Sequence, residues 1–323
     1  MLKTLRLLTV LGFVAAFSTA GAQTFPTKPI TIITHSAPGG PADILARAVM
    51  TDLSASLGQP VVVENRPGGS GKIGIQALLN APRDGHTIFT ISYTHLVTLP
   101  VTDPAPGYDP DKDFELLTNG IGTPLAVVVH KSLPVANMKE FIAYAKINRD
   151  KLNYGTFGVA SALHFGTEVF LDKLGGVKLT HVPYKSEALA IPDLLGGTLQ
   201  FMMTSGVIKP HVDSGTVRIL GTTGDTRWSQ FPNAPTMVEQ GIDFPWVPWT
   251  GFAAAAGIPP EAKRKLQAAL VRALGSDPVK QAFGRMGADP LPTTAEKFAA
   301  TVREDRSMVT AVMKTGRIKL DDR

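Results

Sequence analysis

Five short stretches of this chain put hydroxyl and backbone donors where a polypeptide holds an anion. They are His35-Ser36-Ala37-Pro38-Gly39-Gly40, Ser92-Tyr93-Thr94-His95, Thr156-Phe157-Gly158-Val159-Ala160-Ser161, Tyr184-Lys185-Ser186 and Thr204-Ser205-Gly206. Each follows an apolar run and opens a helical pattern. At such a junction the first N–H groups of the helix are unsatisfied and its positive dipole end faces outward, so an anion is held without a basic side chain. Taken singly, Thr94, Ser161 or Ser205 reads first as a helix cap. Five such loops together describe a receptor for a small carboxylate. The candidate ligand contacts are Ser36, Ala37, Pro38, Gly39, Gly40 and Asp43; Ser92, Tyr93 and Thr94; Thr156, Phe157, Ala160, Ser161 and His164; and Ser186, Thr204 and Ser205.

Residues for catalysis are not grouped in this way. The seven His residues (35, 86, 95, 130, 164, 181 and 211) form no HExxH or other paired metal spacing, and there is no Cys. A structural metal is therefore not expected, and neither is a cofactor. No GxSxG nucleophile elbow is present. Gly69-Ser70-Gly71-Lys72-Ile73-Gly74 matches GxGxxG. The next strand pattern, however, ends in Ile91-Ser92-Tyr93-Thr94, with no acid to take a ribose hydroxyl. It reads as a tight turn at a helix start. It is not a P-loop either, because Ile73 stands where Ser or Thr would bind magnesium.

The loops are positioned by alternating apolar strands and amphipathic helices, a pattern that predicts parallel sheets with right-handed crossovers. Strands are predicted at Ile30–Thr34, Pro60–Glu64 and Thr87–Ser92, the consecutive Val residues of the second reading as buried on both faces. After a Pro-rich loop, Phe114–Ile121 and Leu125–His130 read as one extended path broken at Thr123-Pro124. A second α/β set runs to Thr222, a strand returns at Trp249–Ala256, and the remainder is helical. Late helices without a sheet of their own are expected to pack back on the first unit. The expected fold is α/β: two domains in a type II Venus-flytrap arrangement, each a mostly parallel sheet flanked by helices. Domain 1 is 23–123 plus 249–323 and domain 2 is 124–248.

With 323 residues, 44% hydrophobic and 18% charged, the chain can bury a large core and is not disordered. The formal net charge of +5 carries no dense basic run, so nucleic acid is not an expected partner. Residues 1–22 read as a signal peptide: Lys3 and Arg6, an apolar stretch from Leu7 to Ala16, then Ala20-Gly21-Ala22 before Gln23. An exported chain without Cys suits a bacterial periplasm.

Several segments carry a family resemblance. They include Ala37-Pro38-Gly39-Gly40-Pro41-Ala42-Asp43, Val61-Val62-Val63-Glu64-Asn65-Arg66-Pro67-Gly68-Gly69-Ser70-Gly71, Ala81-Pro82-Arg83-Asp84-Gly85, His181-Val182-Pro183-Tyr184-Lys185 and Asp193-Leu194-Leu195-Gly196-Gly197. The chain resembles the substrate-binding proteins of tripartite tricarboxylate transporters, the Bug or TctC-like family. The resemblance implies a periplasmic receptor, not an enzyme. A carboxylate would be clamped between the Pro38–Asp43 loop and the Thr156–Ser161 loop and delivered to the membrane subunits of a tripartite transporter. The receptor is expected to be a monomer.

The sequence departs from the family pattern at Ser186, Leu199-Gln200, Ser92-Tyr93-Thr94-His95 and Phe157. These changes remove a negative charge and add aromatic and hydroxyl groups near the expected cleft, so the ligand is expected to be an aromatic or aliphatic dicarboxylate. Tyr93, Phe157, Trp246 and Trp249 are candidates to pack on a flat ring, the two Trp residues also serving as hinge packing. Competing readings are an exported hydrolase or isomerase and a ligand-binding sensor for a membrane kinase.

Overall fold

The computed structural model describes residues 24–148, 151–156, 159, 161–184, 186–284, 287–316 and 318. The predicted signal peptide, Phe157 and Ala160 lie outside these described residues. In chain order the elements of the first half are β1 (Ile30–Thr34), α1 (Pro41–Leu57), β2 (Val61–Asn65), α2 (Lys72–Leu79), β3 (Thr87–Ser92), α3 (Leu99–Thr102), β4 (Phe114–Gly122), β5 (Ala126–His130), α4 (Met138–Ile147) and β6 (Asn153–Thr156). There follow α5 (Ala162–Lys173), β7 (Thr180–Pro183), α6 (Glu187–Gly196), β8 (Phe201–Thr204), α7 (Lys209–Asp213), β9 (Val217–Thr222), β10 (Trp249–Ala255), α8 (Pro260–Leu274), α9 (Asp277–Gly284), β11 (Asp289–Pro290) and α10 (Ala295–Lys314).

Two sheets result. The first has six strands in the order β11-β4-β10-β3-β1-β2, the second five in the order β7-β6-β8-β5-β9. Strands β1, β2 and β3 pair in parallel, as do β6, β7 and β8. The expected mostly parallel pairing holds within each of these triplets, and one interior strand in each sheet runs against it. β10 is antiparallel to both β3 and β4, and β5 is antiparallel to both β8 and β9. These two reversed strands are the first to form after the chain passes between sheets, through 122–126 and again through 247–249. A chain arriving from the other unit enters its sheet from the opposite end.

A second difference concerns β2. Val61 is buried but Val62 is 51% exposed; β2 is the sheet's edge and, among the described residues, pairs with β1 alone. Alternation holds there, although the sequence is all Val.

The late helices do pack back on the first sheet. Leu266 and Leu270 of α8 share a buried cluster with Leu45 and Val49 of α1. Helix α10 places Phe298, Val302, Val309 and Val312 in a cluster that also holds Phe165 and Phe170 of α5, so it joins the two units. Between β8 and α7 the chain makes a tight turn over Gly206–Ile208.

A cleft between the strand ends as candidate binding site

Because β1 and β3 are parallel neighbours, the loops that follow them leave the same end of the sheet. They border a cavity of about 300 Å³ lined by His35, Ser36, Pro41, Ala42, Ser92, Tyr93, Thr94, Ile121, Thr123, Ala162, Pro248, Trp249 and Thr250. Ala162 is the first residue of α5 and brings the second unit to the cavity; Thr123 and Pro248 belong to the crossings. Among the described residues, no Asp, Glu, Lys or Arg lines it. Its polar surface is hydroxyls, an imidazole and the start of α1, whose N-cap Gly40 makes no side-chain cap bond.

The first loop is held from behind. The Asp43 carboxylate accepts from Gly39 N at 2.9 Å, from Arg47 Nε at 3.0 Å and from Asn65 Nδ2 at 2.8 Å. Asn65 Nδ2 also donates to Ser36 O at 2.9 Å. Asp43 is 2% exposed and does not line the cavity. Burial alone would raise its pKa, but the Arg47, Gly39 and Asn65 donors outweigh that and lower it. The sequence reading placed Asp43 among the ligand contacts; in the structure its carboxylate is bonded to Gly39, Arg47 and Asn65. Ala37, Pro38 and Gly39 are exposed, and His35 and Ser36 of the loop reach the cavity, with Pro41 and Ala42 at the start of α1.

Beneath these loops sit two imidazoles. His35 and His95 meet edge to face with ring centres 4.5 Å apart. His35 Nδ1 donates to Thr90 O at 2.9 Å. His95 Nδ1 accepts from Ser92 N at 3.1 Å, which leaves Nε2 as its N–H, directed to the Ser70 carbonyl. Burial lowers both pKa values, that of His95 strongly, so both are neutral and orient the loops without adding charge.

The GxGxxG segment has its explanation here. Gly68, Gly69, Ser70 and Gly71 all have positive φ, and a Cβ on Gly71 would lie 2.0 Å from His95 Nε2. The tight turn exists so that backbone can press against a buried imidazole. After Tyr93 the chain does not form an open loop but a single π-helical turn over Thr94–Thr98, a form that recurs at functional sites.

On the second unit the expected contacts are mostly turned to one another. Ser161 caps α5, accepting from His164 N at 3.2 Å. Thr156, fully buried, bonds His181 Nε2 at 2.6 Å. His164 lies stacked on His181 at 3.7 Å. Burial, with each imidazole beside the other, pushes His164 down to about 3, and burial pushes His181 down to about 4. Tyr154 OH donates to Glu168 at 2.5 Å alongside this pair.

Thr204 and Ser205 are likewise occupied. Thr204 Oγ1 donates to Glu187, Ser205 N to Glu187 Oε1 at 2.7 Å and Ser205 Oγ to Glu187 Oε2 at 2.8 Å. Ser186 is exposed and makes no cap bond. Thus Ser36, Ser92, Tyr93 and Thr94 come together at the cavity, while Thr156, His164, Thr204 and Ser205 are not among its lining residues.

The back of the cavity is aromatic. Tyr93 contacts Trp246 and Trp249 edge-on, at 5.6 and 5.9 Å between centres. Gly166 on α5 has no side chain where a Cβ would lie 2.3 Å from Trp246. Trp249 Nε1 donates to Asp305, which is buried on α10. Sequence reasoning singled out neither Asp305 nor Glu187; an acid inside an amphipathic helix or at a helix start carries no local sign of its partner.

The family model for the tripartite tricarboxylate transporter family receptor matches residues 45–317. The chain belongs to this family. As a member, it is 32% identical over 303 residues to the UPF0065 protein in the gbd 5' region of Cupriavidus necator, over 93% of this chain and 92% of that protein. It superposes on a ligand-free TctC solute binding protein from Polaromonas with a TM-score of 0.81 at 27% identity, over 90% of this chain and 100% of that one. Rpa4515 of R. palustris, solved with adipate, gives 0.72 at 30% identity, covering 90% and 98%. MatC (Rpa3494) from Rhodopseudomonas palustris, solved with malate, gives 0.68 at 28%, covering 89% and 99%. The family expected from the Val61–Gly71 run is therefore the family found, and with it the two-domain periplasmic receptor fold. Among the described residues, no helix is long and apolar enough to cross a membrane.

Proposed function

We propose that this receptor captures a small carboxylate in the cleft between its two sheets and presents it to the membrane subunits of a tripartite transporter. The observation that carries the reading is the cavity itself. Ser36, Ser92 and Thr94, with the starts of α1 and α5, line it, and no acidic side chain among the described residues opposes an anion there. The relatives solved with adipate and malate support the ligand class.

In this reading the mature chain begins at Gln23, after export to the periplasm, and acts as a monomer. Residues 23–123 plus 249–323 form one domain and 124–248 the other. The carboxylate is held first by the Ser36 and Ser92–Thr94 loops. The second domain then closes with the start of α5, where Ala162 lines the cavity. Closure is favoured only by the contacts that the ligand gains in the closed form. The neutral His35–His95 pair holds the loops at a fixed spacing, and the Asp43–Arg47–Asn65 group keeps the first loop from collapsing into the cavity.

Titration calorimetry with a panel of aliphatic and aromatic carboxylates tests this. At least one is expected to bind in the micromolar range or tighter, and Thr94→Ala and Ser92→Ala each to weaken it by about tenfold, the loss of one or two hydrogen bonds to a charged group. A panel without binding, or binding indifferent to both substitutions, would refute the assignment.

A further inference from the structure

Thr204, Ser205 and Glu187 sit at the same end of the second sheet as the cavity. Strands β7, β6 and β8 run in parallel with β6 between the others, so the chain leaves Thr156, Pro183 and Thr204 on one edge. That edge is where open α/β sheets receive ligands, and α5, which leaves it just after Thr156, supplies Ala162 to the cavity wall. A ligand held at Ser36 and Thr94 and long enough to pass Ala162 would approach this edge of the second sheet.

What it meets there is a carboxylate belonging to the protein. Glu187 is the first residue of α6, where a negative charge is favoured by the helix dipole. Its two oxygens take the Thr204 hydroxyl, the Ser205 N–H and the Ser205 hydroxyl. Those are the strand-end donors that a ligand carboxylate would need. Thr204 and Ser205 are neutral donors and the Glu187 side chain is only partly buried, so its charge is not cancelled within the group that binds it.

We propose that Glu187 is a specificity-determining residue. It fills the second anion position of the cleft and restricts the ligand to one with a single carboxylate, whose other end is uncharged or carries an ammonium. The inference rests on reading the cleft as a carboxylate site. It narrows that reading, because a dicarboxylate would bring its second charge against Glu187 while finding the Thr204 and Ser205 donors already taken. A site that rejects by charge repulsion and by occupied donors discriminates more strongly than one that selects by shape.

The experiment uses ligands matched in length: adipate, hexanoate and the ω-amino acid of the same chain, then succinate, butyrate and the corresponding ω-amino acid. Binding of each to the full receptor is measured by calorimetry at neutral pH. The monocarboxylate or the ω-amino acid is expected to bind at least about tenfold more tightly than the dicarboxylate of its series, a typical cost of an unpaired like charge at a partly solvated site. Glu187→Gln removes the charge and keeps an acceptor for Ser205. It should raise dicarboxylate affinity by about tenfold and leave the monocarboxylate nearly unchanged. Glu187→Ala also frees the Thr204 and Ser205 donors, so its gain for the dicarboxylate should be the larger.

The inference is overturned if the dicarboxylate binds the unaltered receptor as tightly as its partners. It is also overturned if both variants weaken all ligands alike while lowering the melting temperature, the pattern of a purely structural bond. If no carboxylate binds at all, the cleft assignment falls first and this inference with it, a result distinct from binding with the opposite preference.

Discussion

Trp249 Nε1 donates to Asp305 Oδ2 at 2.8 Å, and the same indole meets Tyr93 edge-on at 5.9 Å on the cleft side. One side chain of β10 therefore links the cavity wall to a buried acid on α10. Burial pushes the Asp305 carboxyl up to about 7, with the Trp249 N–H pulling it partly back.

That acid makes stability depend on pH in a definite sense. A carboxyl whose pKa rises on folding binds its proton more tightly in the folded state. Its favourable contribution is complete below about pH 4 and is lost as pH rises through about 7. Three pKa units set a ceiling of about 4 kcal/mol. Asp305→Asn should therefore gain stability relative to the unaltered protein as pH rises from about 4 to about 7, read from urea midpoints. A difference that stays flat across that window would contradict the assignment.

The His164–His181 stack acts in the opposite direction. Both imidazoles are neutral when folded, at about 3 and about 4, and take up protons near pH 6.5 when unfolded. Their contribution is present above about pH 6.5 and is lost as pH falls through about 4. His181→Gln keeps a partner for Thr156 and removes one titrating ring, so its acid-unfolding midpoint should move to lower pH. Circular dichroism against pH measures this, and a midpoint that is unmoved or higher would count against it.

Asp43 separates loop order from ligand contact. Asp43→Ala releases the Gly39 and Asn65 donors and unpairs Arg47, at a cost of about 1–3 kcal/mol. Carboxylate affinity should fall by about tenfold although Asp43 does not line the cavity, because the loop must be ordered at the moment of binding. The enthalpy and entropy of binding should both become more negative; a pure loss of enthalpy would instead indicate direct contact.

Gly71→Ala tests the turn beneath His95. The added Cβ would lie 2.0 Å from His95 Nε2 at a φ of +90°, so strain and a displaced imidazole should together cost about 2–4 kcal/mol. Loss of the His95 resonance position in NMR, with the fold retained, is the expected signature. A variant as stable as the parent would show that the turn is not constrained.

The order of strands and helices is legible in this sequence because the amphipathic period and the Gly and Pro boundaries agree at nearly every junction. The Pro38–Asp43 and Ser92–Thr94 loops are legible for the same reason. What escapes is the pairing that tertiary structure creates. Asp43 offers the same carboxylate to a ligand or to Gly39, and only the position of Asn65 on the neighbouring strand decides. Glu187 meets Ser205 across a helix and a strand, a separation at which local pattern carries no information. The burial of β2 was overstated by its run of Val, since edge position is a property of the sheet and not of the strand.

Strand β10 has a consequence for how the molecule is made. It lies between β3 and β4, yet the whole second sheet is encoded before it. While the chain is being synthesised or threaded across a membrane, β3 and β4 have no common neighbour and present open edges. The first sheet can be finished only by the returning segment. Such late, long-range strand insertion is slow and exposes nascent chains to aggregation. The second unit, contiguous in sequence, is complete before the first can close. The unit that opens the cleft is thus the last to become whole.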